Sequence, residues 1–308
     1  MNRKILTVLA ILIAGSSLLM NCQSDGNKAK KNDAFDIPDS IFKDKPLMIS
    51  KEAMNDIIGN MSSPVEMAAL IKSTGVPFNQ KYLASTSKVD KLDTDFKQAL
   101  NLGIYGCDLG YLNMYEKTGS IINSMQAIKK LADQLRIGHF FDFNTIKRLA
   151  TNNENIDSLM YISVSSFNNM DEYLRDNNRS DISSLLVTGM WVEGMYLACQ
   201  VVKEQKHPND TLRERIGDAK IVLNDLVLIL KNYKSNSAFA NLVKEVEKIK
   251  KEYENVTITV KSGEPEMIEV DGMLMFKPND EQIVDMSDET MSKIITAIEN
   301  TRTMIINL

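Results

Sequence analysis

From about residue 50 onward the apolar positions fall three and four residues apart, the period of helices with one buried face. Pro64, two residues after Ser62, opens a helix that runs to about Ser73, where Gly75 and Pro77 stop it. The next segment, about 93–117, carries Phe96, Leu100, Gly103, Cys107, Tyr111 and Met114 on one stripe, and Thr118-Gly119 breaks it. Ile121, Met125, Ile128, Ala132 and Leu135 make a further stripe that ends at Gly138. A short helix over about 143–152 leads to one over about 155–175, marked by Ile156, Met160, Phe167, Met170 and Leu174. The segment 181–205 holds Leu185, Val192, Met195, Cys199 and Val202 and closes at His207-Pro208. Two stretches then keep a seven-residue repeat: Leu212, Ile216, Ala219, Leu223, Leu226 and Leu230, followed by Phe239, Leu242, Val246, Ile249 and Tyr253. A last helix, about 287–305, shows Met291, Ile294, Ile298 and Ile305.

One stretch has a different character. Val256-Thr257-Ile258-Thr259-Val260 is β-branched throughout, and Met267 to Phe276 is divided by Asp271-Gly272, a pair suited to a tight hairpin turn. The pattern therefore predicts an all-α fold of antiparallel helical hairpins packed as a bundle, with a small β-hairpin near residues 256–276. Residues 46–308 read as a single helical domain. Two of its helices are weakly alike: Gly103-Ile104-Tyr105 with Gly106 and Gly110, and Gly189-Met190-Trp191 with Gly194. A glycine inside a helix costs about 1 kcal/mol relative to alanine. Such a cost is tolerable where small residues let two helices approach, so these two helices are the candidates for the central packed pair.

The start of the chain follows other rules. Arg3 and Lys4 precede Ile5 to Ala14, in which only Thr7 is polar, and Gly15-Ser16-Ser17 follow. That is the layout of a secretory signal, and the apolar run is too short to span a membrane. Leu19-Met20-Asn21-Cys22 resembles the lipobox of bacterial lipoproteins, with Leu19 three residues before the cysteine, though Met20 and Asn21 depart from the small residues that family prefers. The resemblance covers residues 1–22. It implies removal of residues 1–21, diacylglycerol on the Cys22 sulfur and an acyl group such as palmitate on its amine. Several chains together anchor firmly where one binds marginally. Gln23 stands where an aspartate would resemble an inner-membrane retention signal, which points to the outer membrane. Residues 22–45 then read as the lipidated cysteine and a flexible polar tether, with Lys28, Lys30, Lys31 and Pro38.

Without residues 1–21, Arg3 and Lys4 are lost and no acid; 34 basic against 41 acidic residues leave a net charge of −7. That balance argues against a nucleic-acid partner. A 44% hydrophobic content provides for a sizeable core, and 14 glycines and 7 prolines in 308 residues favour helix over sheet. With Cys22 assigned to lipid, Cys107 and Cys199 remain; they pair in an oxidising compartment or serve as buried free thiols, and the second is preferred.

The candidate chemistry is sparse. Asp108 and Glu193 lie in the two glycine-bearing helices and could act as a general acid and base. The helical wheel places Asp108 with Lys97, Asn101 and Tyr115, and Glu193 near Gln200 and Glu204, so both are expected to face water. His139 opens the aromatic knot His139-Phe140-Phe141-Asp142-Phe143, read as an inter-helix anchor, and His207 sits at a helix end; no metal-binding motif occurs. Ser85-Thr86-Ser87-Lys88, Ser166-Phe167-Asn168 and Lys261-Ser262-Gly263 resemble the three motifs of penicillin-recognising enzymes, whose fold needs a central sheet that this pattern does not offer. The run Lys244 to Glu252 reads as a solvated face with Glu247 paired to Lys251. The expectation is a lipoprotein anchored in the outer membrane by Cys22, with a helical binding or scaffolding domain. Its partners would be membrane lipid and an envelope protein, without a cofactor, metal or catalytic residue. The alternative is an envelope hydrolase using carboxylates or Ser85 with Lys88.

Overall fold

The computed structural model describes residues 50–145, 156–205, 210–263, 265–270, 273–277 and 281–308. Helix α1 (Lys51–Asn60) starts at Ser50, whose hydroxyl accepts from the Ala53 N–H. Helix α2 (Pro64–Ser73) opens on a reciprocal capping box: Ser63 Oγ accepts from the Glu66 N–H at 3.2 Å, and the Glu66 carboxylate accepts from the Ser63 N–H at 2.7 Å. The cap is thus Ser63 rather than Ser62, with Pro64 at the first helical position. Two 3-10 turns that no periodicity announces, Gln80–Tyr82 and Thr86–Lys91, lead to α3 (Asp95–Met114). Then follow α4 (Thr118–Gln134), a 3-10 turn at Gly138–Phe140, α5 (Ile156–Asp176), α6 (Ser180–Glu204), α7 (Asp210–Lys231), α8 (Ser237–Tyr253) and, after a β arm, α9 (Asp288–Ile306). The expected helix over 143–152 is seen at 143–145; its remainder, like His207, lies outside the described residues.

Three helices stop where the sequence carries no glycine. Glu116, Arg136 and Asn178 adopt φ of 59°, 60° and 57°. Each is followed by an N–H that reaches back five residues: Lys117 to Leu112 at 3.0 Å, Ile137 to Ala132 at 2.8 Å, Arg179 to Leu174 at 2.7 Å. These bonds satisfy carbonyls that the helix leaves free and offset the left-handed backbone. Thr118-Gly119 therefore begin α4 instead of separating it from α3, and Gly138 belongs to the turn after α4.

The β arm is a nested pair of two-stranded sheets. β1 (Thr257–Lys261) pairs antiparallel with β4 (Glu281–Asp285), and β2 (Glu266–Val270) with β3 (Met273–Lys277). The arm thus reaches Asp285, beyond the expected boundary at 276, because β1 finds its partner outside the tip hairpin. Its base is seated on α7, where Gly217 leaves room for the Val284 side chain.

The centre of the fold is α3 against α6. A Cβ on Gly103 would collide with the Leu186 carbonyl oxygen and lie 2.7 Å from the Met190 nitrogen; one on Gly189 would collide with the Leu100 carbonyl oxygen. Cys107, one turn further along α3, donates its S–H to the Met190 carbonyl at 3.1 Å and lies beside Gly194. Contacts climb both helices together, so this pair runs in the same direction. Helix α6 is long and apolar enough to cross a membrane by length and composition, but here protein covers it, from Ile182 to Val201 with few gaps. Cys107 and Cys199 are buried free thiols. The repeats of α7 and α8 bury Leu212, Ile216, Leu223, Leu226 and Leu230 with Phe239, Leu242, Val246 and Ile249. Glu247 pairs with Lys231 of α7 at 2.9 Å rather than with Lys251.

Two glycines three residues apart on α3 should respond oppositely. Gly103→Ala is expected to lower stability by about 3 kcal/mol, since backbone has to move. Gly106→Ala, whose Cβ meets nothing within 4 Å, should be neutral or raise it by up to about 1 kcal/mol. Urea denaturation of the two variants measures this; equal effects would contradict the close helix approach.

Candidate functional site

Asp108 on α3 and Glu193 on α6 are not at the surface. They are 3% and 0% exposed and face each other in the core. The wheel failed because α3 and α6 are enclosed and have no polar side to offer. Arg302 of α9 completes the group. Its Nε and Nη2 donate to the two oxygens of Glu193, each at 3.0 Å, and Nη2 also donates to the Tyr82 carbonyl at 3.1 Å. The guanidinium lies 4.3 Å from the centre of the Tyr196 ring. Asp108 accepts from the Ala84 N–H at 2.9 Å through one oxygen. Sequence reasoning missed Arg302, although it stands four residues after Ile298 and three before Ile305, on a stripe that otherwise faces the core.

Two carboxylates and one guanidinium in a sealed interior leave a surplus negative charge. Burial pushes the Asp108 carboxyl well above the usual carboxylate range, and the neighbouring Glu193 charge adds to the push. Burial raises Glu193 as well, but the Arg302 fork holds it back. Asp108 therefore carries the proton. Its second oxygen, which has no donor facing it, then becomes the hydroxyl that donates to Glu193. The group joins α3, α6, α9 and the 82–84 segment, and neither acid lines the apolar cleft beside α3.

A separate cleft opens on the far side of α3, since Gly106 precedes Asp108 by more than half a helical turn. Its volume is about 450 Å³. Helix α3 supplies Leu102, Gly106, Leu109, Gly110 and Asn113; α1 adds Asn55, Ile58 and Gly59. Ser63, Pro64 and Glu66 at the start of α2 form one end. Ile128, Phe141, Phe143, Val164 and Phe167 form the wall opposite, and α6 contributes Leu186 and Met190. Leu102, Ile128, Phe167 and Leu186 are buried, whereas Asn55, Glu66 and Asn168 are exposed at the margin.

The serine motifs are scattered. Ser85 caps a 3-10 turn with its hydroxyl 2.8 Å from that of Ser87, and Lys88 donates to Asn307 at 2.9 Å. Ser166 and Asn168 line the cleft, which neither Ser85 nor Lys261 does. His139 packs at a tilt against Phe140 and edge-on against Tyr173, with ring centres 4.1 and 5.5 Å away, as an anchor between the 138–140 turn and α5. The described fold is an all-α bundle with a small β arm. Comparisons of the chain with protein-family models, curated proteins and solved structures find no match.

A carboxyl that is neutral when folded and ionised when unfolded stabilises the fold only at low pH. Its contribution is complete below the unfolded value near ~3.9 and falls as pH rises toward the raised folded value. Asp108→Asn keeps both hydrogen bonds without titrating. Its stability relative to the native chain should rise from pH 4 to pH 8, by about 1.4 kcal/mol per pH unit at most. A difference that does not change with pH would mean that Asp108 is ionised. Arg302→Met, which strands Glu193, should cost about 3–5 kcal/mol in the same denaturation series.

Proposed function

We propose that the chain is a lipoprotein of the cell envelope, anchored in the outer membrane through acylated Cys22, and that its helical domain is a binding module whose ligand site is the apolar cleft. The anchor rests on the lipobox-like Leu19-Met20-Asn21-Cys22 and on the polar stretch that follows it. The observation that carries the binding role is the cleft itself. Its volume of about 450 Å³ falls within the range of small-molecule sites, and its apolar floor and polar margin have their usual distribution. A small molecule fits it better than an envelope protein, because a stable protein interface takes about 800 Å² from each partner and this feature is a slot between helices. The buried acids serve the fold: neither lines the cleft, and Arg302 and the Ala84 N–H bond them inside the core.

Both parts are testable on the full chain. Cys22→Ala should move the protein from the membrane pellet to the soluble fraction, and mass spectrometry of the mature N-terminus should find an acylated cysteine; an unmodified residue there would remove the anchor. The neutral dye Nile red should bind the Cys22→Ala chain one to one. Gly106→Leu, filling the cleft from its floor, should weaken that binding at least tenfold without lowering the melting temperature. Absent binding, or binding unaffected by Gly106→Leu, would remove the cleft as a ligand site.

A further inference from the structure

We infer that the cleft takes an uncharged ligand, a hydrocarbon body with a neutral hydrogen-bonding end, and that it rejects the ionised acid of the same chain length. This rests on the cleft being a ligand site at all. The inference comes from the charges around the cleft. Among the described residues that line it there is no lysine, arginine or histidine, and the one ionisable group is Glu66. Glu66 is also committed: its carboxylate accepts from the Ser63 N–H at 2.7 Å while its own N–H donates to Ser63 Oγ at 3.2 Å.

That arrangement closes the usual route for an anion. The N-terminus of a helix attracts negative charge through its free N–H groups and its dipole. Here α2 begins at the cleft, but the Ser63 and Glu66 groups already bond each other, and the Glu66 charge complements the dipole. Among the described lining residues an anionic headgroup meets a carboxylate and no cation, and the Lys129 ammonium beside the wall lies over the Phe143 ring, 5.5 Å from its centre. A cationic one gains only an exposed acid in water and must leave the rest of its charge over an apolar floor, which is costly without pairing. The remaining polar side chains, Asn55, Asn113, Ser166 and Asn168, are neutral and suit a hydroxyl, ester or amide. A volume of about 450 Å³ is of the size that takes one hydrocarbon chain with its linking group.

The test uses the full chain with Cys22→Ala, so that no covalent acyl group competes. Nile red is displaced at pH 8 by monolauroylglycerol or by dodecanoate, which share a chain and differ in charge. The glyceride should displace the dye at a concentration at least tenfold lower. Glu66→Gln keeps the capping box and removes the carboxylate, so it should narrow this ratio several-fold by improving dodecanoate alone. Equal displacement, a preference for dodecanoate, or displacement by neither lipid of a dye whose binding depends on Gly106 would each overturn the uncharged ligand while leaving the cleft as a site. Loss of Gly106-dependent dye binding itself would overturn both.

Discussion

Gly103 and Gly189 let the backbones of α3 and α6 touch, and the rest of the domain is arranged by that contact. The Leu186 carbonyl and the Met190 nitrogen occupy the space where a side chain on Gly103 would stand. Helices this close leave little of either one's circumference exposed. Helix α6 is then covered on its other sides, and every residue along it must be compatible with the interior. Glu193 can exist there only if another element brings a cation, which Arg302 does from α9 with two hydrogen bonds of 3.0 Å. Asp108 in turn can lie beside Glu193 only as the neutral acid. A packing constraint on two glycines thus leads to a charge constraint on three distant residues, and the C-terminal helix is held by it.

The three glycines of α3 do different work. Gly103 faces α6 at backbone contact. Gly110 lets the chain at Pro64 approach, with the carbonyl of that residue 2.9 Å from where a Cβ would be. Gly106 touches neither and opens into the cleft. Because Pro64 and Glu66 at the start of α2 also line the cleft, and Leu186 and Met190 of α6 belong both to the glycine contact and to its wall, the cleft's geometry is set by the same close packing that organises the core.

The helices, their order and the central glycine pair were legible because each leaves a local trace: a period, a breaker, or a small residue where a large one is expected. The stops at Glu116, Arg136 and Asn178 left none, since what makes them work is a set of backbone bonds rather than a residue type. The burial of Asp108 and Glu193 was misread for a different reason. A helical wheel assumes one face in water, and that assumption fails for helices surrounded by others. The better signal was present in α6, whose composition is apolar nearly all round, and in Arg302 at a core position of α9. The cleft had no signal of its own, because it is made by seven segments that meet only in the folded chain.

Gly106 is where the proposed ligand role of the cleft bears on the fold. Its backbone is ordinary helix, so no left-handed conformation requires glycine there. No neighbour within 4 Å requires it either. Alanine would fit and would be the better helix former by about 1 kcal/mol. Gly103 and Gly110 carry the same local penalty in return for close packing, whereas at Gly106 the only thing preserved is empty space over an apolar floor. Unfilled apolar volume forfeits contacts in the folded state. The proposed occupancy by a small apolar molecule would account for a fold that bears both costs at one position, one turn along from the glycine at backbone contact with α6.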